Sequence, residues 1–162
     1  GLICGIDIET IRKTLKNFSG LPHRLEKVAE INGITFINDS KATNVYSVKR
    51  ALESFPEDKK IILIMGGRNK GMDFSELSTL IEKKVKSLIL IGESKYEIGK
   101  VFSECKVKMD FAGSMEEAVK KGYAEGESGD IVLLSPGCAS FDMFKNYKER
   151  GDVFKKAVKT LL

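Results

Sequence analysis

Histidine and cysteine are scarce in this chain, and their scarcity removes whole classes of chemistry. The 162 residues hold one histidine, His23, and three cysteines, Cys4, Cys105 and Cys138, far apart from one another. A zinc site takes three or four such ligands at close spacing, so no metal centre is expected. An odd, scattered set of thiols draws no disulfide framework either, which suits a reducing cytoplasm. No apolar run approaches the roughly 20 residues of a membrane span. The N-terminus has neither the basic lead nor the long apolar stretch of a signal peptide. Repeats and low-complexity tracts are lacking. Charge of one sign is lacking too: the formal net charge is +4, and lysines alternate with Asp and Glu along the chain. That pattern reads as solvated helix faces, not as a nucleic-acid stripe.

What is present describes an ordinary globular chain, 42% hydrophobic and 31% charged. At this size folding buries roughly 70% of the unfolded surface, enough for a core without staples. Residues 7–17 form a short amphipathic pattern with Ile8, Ile11 and Leu15 on one face. It stops at Phe18-Ser19-Gly20, with Pro22 following. A helix cut off in this way, after an opening Gly1-Leu2 without an initiator Met, predicts that residues 1–20 are the tail of something larger. The remaining 21–162 then form a domain of their own.

From Leu25 the pattern changes to a hairpin. Val28–Ile31 and Ile34–Ile37 flank Asn32-Gly33, a strong hairpin signal. Short apolar runs then recur at Ile61–Met65, Leu88–Ile91, Val107–Phe111 and Ile131–Leu134. Helical segments are expected near 45–54, 74–84, 94–104, 115–124 and 148–161. Strands this apolar are buried on both faces, as in a parallel sheet covered by helices. The expected fold is α/β, a doubly wound, Rossmann-like six-stranded sheet with five parallel strands and one antiparallel edge strand.

Ligands in such sheets sit beyond the carboxyl ends of the strands, and three of those ends carry unusual loops. Asn38-Asp39-Ser40-Lys41-Ala42-Thr43-Asn44 puts six polar residues in seven positions. Capping accounts for one or two of them. Lys41 opposes the dipole of the helix that follows, a cost that a bound anion reverses. In Gly66-Gly67-Arg68-Asn69-Lys70-Gly71-Met72-Asp73, paired glycines permit close approach or positive φ, and Asp73 is placed to cap the next helix. The loop lacks the Gly-x4-Gly-Lys-Ser/Thr pattern of a triphosphate cradle. The third loop, Ser135-Pro136-Gly137-Cys138-Ala139-Ser140-Phe141-Asp142, offers backbone N–H groups to a carboxylate or phosphate. No base accompanies Cys138, which reads as a packing residue; Ser140 also reads as a plain N-cap. Ahead of the hairpin, His23 reads as a hydrogen-bonding spacer and Arg24 as a phosphate contact.

Together, G-L-P-H-R at 20–24, N-D-S-K-A-T-N at 38–44, G-G-R-N-K-G-M-D-F at 66–74 and L-S-P-G-C-A-S-F-D-M-F-K-N-Y-K-E-R-G at 134–151 resemble the Mur ligases. Within that family they look like the branch that adds D-glutamate, because sister enzymes usually carry a Tyr-Gly/Ala-His-type sequence in place of Asn38–Lys41. The resemblance implies the C-terminal domain of a three-domain cytoplasmic ligase, preceded by the last helix of the central ATPase domain. That enzyme uses ATP and Mg, held mainly by the central domain, to activate the carboxylate of UDP-N-acetylmuramoyl-L-alanine as an acyl phosphate. The amine of D-glutamate then attacks it. By motif, Arg24 and Asp39 contact the nucleotide, and Lys41 is the catalytic candidate near the phosphate or the amino acid. Thr43, Lys70 and Ser140 take the carboxylates of D-glutamate, with backbone around Phe141 and Tyr147. Phenylalanine is also common at the position of Tyr147, and Arg68 falls at a variable point without a role. The competing readings are a stand-alone, flavodoxin-like anion sensor and the corresponding domain of a sister or folylpolyglutamate ligase.

Overall fold

A computed structural model of the chain describes residues 1–18, 20–58 and 60–162. After a 3-10 turn at Leu2–Cys4, helix α1 (Ile8–Asn17) is capped by Asp7, whose side chain accepts from Thr10 N. None of its residues is buried; Ile8 and Leu15 are 52% and 69% exposed. The expected helix stop includes Ser19, which lies outside the described residues.

The hairpin forms from β1 (Glu26–Ile31) and β2 (Ile34–Asn38). Asn32 and Gly33 both take positive φ, 50° and 79°, the pairing that a type I′ turn requires and that twists with the strands. Then follow α2 (Val45–Ser54), β3 (Ile61–Gly66), a 3-10 turn (Phe74–Leu77) leading into α3 (Ser78–Lys84), β4 (Val85–Ile91) and α4 (Lys95–Val101). The chain continues through β5 (Lys108–Phe111), α5 (Met115–Glu125), β6 (Ile131–Leu134) and α6 (Tyr147–Lys159).

The six strands lie in the order β1-β2-β6-β3-β4-β5. β1 pairs antiparallel with β2, and every other pairing is parallel, as expected. Alternation along β3 explains the two layers. Ile61, Leu63 and Met65 face a core shared with α2, α3 and α4, whereas Ile62 and Ile64 face α5 and α6. Each of these side chains is fully buried, and burial of that kind contributes about 1.5–3 kcal/mol apiece. β6 is inserted between β2 and β3, so the carboxyl ends of these three strands adjoin. That insertion positions the site.

Candidate functional site

The loops after β2, β3 and β6 are stitched to one another through backbone. Gly66 N donates to Pro136 O (2.9 Å), Gly137 N donates to Ala42 O (2.9 Å), and Arg68 and Ala139 exchange bonds of 2.9 and 3.1 Å. Gly66 and Gly67 have φ of 122° and 130°, and a Cβ on them would collide with the carbonyls of Ile91 and Ala139. These glycines therefore serve the approach of neighbouring protein backbone.

Asp39 lies at the inner wall of an open cleft of about 270 Å³ bordered by Arg24, Lys41, Tyr46 and Arg50. The residue is 5% exposed. Oδ2 accepts from Ser135 Oγ (2.9 Å) and Oδ1 from Leu25 N (3.2 Å). Burial pushes its pKa up to about 6, against those two hydrogen bonds and the nearby Arg24 charge. Arg24 itself is exposed. The turn that delivers it is strained, with φ of 62° at His23 and 45° at Leu25. His23 is tied down. Its N–H donates to Glu26 Oε2 (2.9 Å), its Nδ1 is 3.1 Å from Asn38 Nδ2, and its ring meets Tyr147 edge-on at 6.0 Å. Burial lowers the His23 pKa, so the ring is neutral at pH 7 and acts as a packed spacer.

The sequence-predicted amino-acid residues reach the same edge. Lys41 is exposed, with Nζ 5.6 Å from the Tyr147 ring, and its N–H donates to His23 O (3.0 Å). Lys70 is exposed, with Nζ 5.9 Å from the ring of Phe141, which is itself 60% exposed. Thr43 and Tyr147 are half-buried and Ser140 is buried. Ser140 does not cap a helix: α6 begins at Tyr147, and Asn146 caps it by accepting from Lys148 N and Glu149 N. Asn44 and Asp73 do act as caps, accepting from Ser47 N and Ser75 N. Burial pushes the Cys138 thiol up to about 12, far above the range of a thiolate nucleophile at neutral pH. Among the described residues, no group of three His, Cys, Asp or Glu side chains is arranged to hold a metal ion.

Arg150 was not legible as a site residue. It is fully buried on α6. Its Nε donates to Ser40 Oγ (3.0 Å), Nη2 to Ser40 O (2.8 Å) and Nη1 to Cys138 O (3.0 Å). Lys-Glu-Arg-Gly on a helix reads as a solvated face, and no local signal marks the arginine as internal.

A doubly wound sheet with charged loops gathered at its carboxyl edge defines a Rossmann-like ligand-binding domain. Residues 23–138 match the family described as Mur ligase, glutamate ligase domain, and the chain belongs to that family. It is 47% identical over 159 residues to the UDP-N-acetylmuramoylalanine–D-glutamate ligase of Caldicellulosiruptor bescii, covering 98% of this chain and 34% of that one. The chain thus spans about a third of the length of its curated relatives. Among solved structures, the UDP-N-acetylmuramate–alanine ligase of Thermotoga maritima superposes with a TM-score of 0.67 at 12% identity, over 98% of this chain and 35% of that one. FolC of E. coli in complex with DHPP and ADP superposes with a TM-score of 0.64 at 15% identity, over 97% and 36%. At such identities these two neighbours speak to fold alone.

Proposed function

We propose that residues 21–162 are the C-terminal domain of the ATP-dependent, ADP-forming ligase that joins D-glutamate to UDP-N-acetylmuramoyl-L-alanine in peptidoglycan synthesis in the cytoplasm. Residues 1–20 are then the tail of its central domain and the hinge. The carrying observation is that Lys41, Thr43, Lys70 and Ser140 gather on one sheet edge in a chain 47% identical to a ligase so named. D-Glutamate presents two carboxylates, which call for cations and hydroxyl or backbone donors. Lys70, Thr43 and Ser140 supply them, with the backbone of Phe141 and Tyr147, and Lys41 is the catalytic candidate near the phosphate or the amino acid.

The chain fits a partial nucleotide contact. The buried Asp39 carboxylate would accept from ribose hydroxyls, and the exposed Arg24 guanidinium would reach a phosphate. ATP with Mg would supply the phosphoryl group that activates the acceptor carboxylate. The cradle for its phosphates and metal belongs to the upstream domain, since no Gly-x4-Gly-Lys-Ser/Thr stretch occurs in this chain.

In the full-length enzyme, Lys70→Ala is expected to raise the KM for D-glutamate roughly 10- to 100-fold, the worth of a lost charge-assisted hydrogen bond of about 1.5–3 kcal/mol. The KM for ATP should stay near that of wild type. Steady-state ADP release at varied D-glutamate measures this, and ordinary D-glutamate kinetics in the variant would remove Lys70 from the site.

A further inference from the structure

Arg150 is a buried cation without a buried anion to match it. Among the described residues no carboxylate forms an ion pair with it; the Cys138 sulfur and then Asp142 are the groups that act on its charge from nearby. Burial draws its pKa down to about 10, which still leaves it charged at neutral pH. Placing a guanidinium in the interior costs heavily unless every donor direction is used. Here the fork is used in three directions, and all three acceptors belong to the loops after β2 and β6. Ser40 Oγ, which accepts from Nε, donates onward to the Tyr147 carbonyl (2.7 Å) at the first residue of α6. One side chain therefore locks Ser40, next to Lys41 and three residues before Thr43, and Cys138, two residues before Ser140.

We infer that Arg150 is a positioning residue for the amino-acid substrate, clamping the Lys41–Thr43 and Ser140 loops to α6 so that their donors meet two carboxylates at a fixed separation. This rests on the function proposed above. Misplacement by about 1 Å in such a contact costs on the order of a hundredfold, so a clamp behind the loops controls binding without touching the ligand. The nucleotide side is anchored separately, because Asp39 is held by Ser135 Oγ and Leu25 N and has no bond to Arg150. The clamp is thus expected to bear more on the amino acid than on the nucleotide, whose contact Asp39 keeps anchors of its own beside the clamped Ser40.

Lysine keeps the charge but cannot reproduce a planar three-way fork. In the full-length ligase, Arg150→Lys is expected to raise the KM for D-glutamate about tenfold or more while the KM for ATP stays within about twofold. A role in stability alone would lower the melting temperature and the active fraction, and so the apparent kcat, without separating the two KM values. An active Arg150→Lys enzyme with unchanged KM for D-glutamate overturns the inference. Should that variant fail to fold, Ser40→Ala removes the Nε acceptor and leaves the other two bonds. A rise of about threefold or more in the KM for D-glutamate supports the clamp, and no rise overturns it. A wild-type enzyme that releases no ADP in response to D-glutamate would instead sink the functional reading on which the clamp depends.

Discussion

Asp39 carries a charge its surroundings resist, and that conflict makes a pH signature. Its carboxyl is held near pKa 6 in the folded domain, against an ordinary 3.8, with desolvation as the leading cause. A folded pKa above the unfolded one means that the native state binds the proton more tightly. The stabilisation is therefore fully present below about pH 3.8 and is lost as pH rises through about 6. Replacing the acid by asparagine removes this dependence while keeping an acceptor for Leu25 N, and Ser135 Oγ then accepts from the new amide. Asp39→Asn is expected to melt several degrees above wild type at about pH 7 to 8, with the gap closing towards about pH 4; about 3 kcal/mol is its ceiling. A gap that does not change across that range would refute the burial argument. Asp39 and Lys70 were legible as candidates because polar residues crowd their loops beyond what capping uses and because those loops match the family's motifs. Arg150 was not, because nothing in Tyr147–Gly151 distinguishes an arginine facing inward from one facing water; only the packing of α6 against two distant loops does so.

Among the elements, α6 carries a residue that works against its own helical preference. Gly151 sits in its second turn, where alanine would be favoured by about 1 kcal/mol. A Cβ there would run into His23 Nδ1 and come within 3.0 Å of both side-chain polar atoms of Asn38. The glycine is thus the socket into which the His23 ring packs, and it fixes the turn that presents Arg24. Gly151→Ala is expected to destabilise the domain by about 1–3 kcal/mol, the usual cost of overpacking, despite the gain in propensity. Thermal melting decides between the two, and a raised melting temperature would mean that His23 moves aside freely. Some elements were legible to within a residue: α2 spans Val45–Ser54 as expected, α5 spans Met115–Glu125 against an expected 115–124, and the Asn32-Gly33 turn is where its dihedral needs place it. The misses have physical reasons. β4 begins at Val85, three residues before the apolar run, because pairing with Ile61 and Ile62 recruits Val85 and Ser87 into the sheet. α4 ends at Val101, short of residue 104, where Ser103 N and Cys105 N turn back to Lys100 O and Phe102 O.

At the scale of the whole molecule, the function proposed above makes the carboxyl edge a half-site. The cleft at Asp39 and Arg24 measures about 270 Å³, below the roughly 300–1,000 Å³ of pockets that enclose a small ligand, and it is open to solvent. Lys41 and Lys70 lie out on aromatic rings with their side chains exposed. A nucleotide that takes its phosphate cradle from one domain and its Asp39 and Arg24 contacts from another binds the closed arrangement better than the open one, and so favours closure. In the domain division proposed above, Gly20-Leu21-Pro22 is the hinge. Gly20 has a φ of 82°, a Cβ there would meet nothing within 4 Å, and Leu21 is 54% exposed, so little packing resists rotation. Separated from the upstream domain, residues 21–162 keep both hydrophobic layers of the sheet and are expected to fold, yet to release no ADP in response to D-glutamate. ATP should bind this domain no better than about millimolar, since only two side-chain contacts remain. D-Glutamate should bind as poorly without the activated acceptor. Backbone NMR titration measures both, and the shifts should be small and confined to residues 38–44, 66–73 and 135–147. Micromolar ATP binding by the isolated domain would contradict a shared site and turn the cleft at Asp39 into a sensor pocket in its own right.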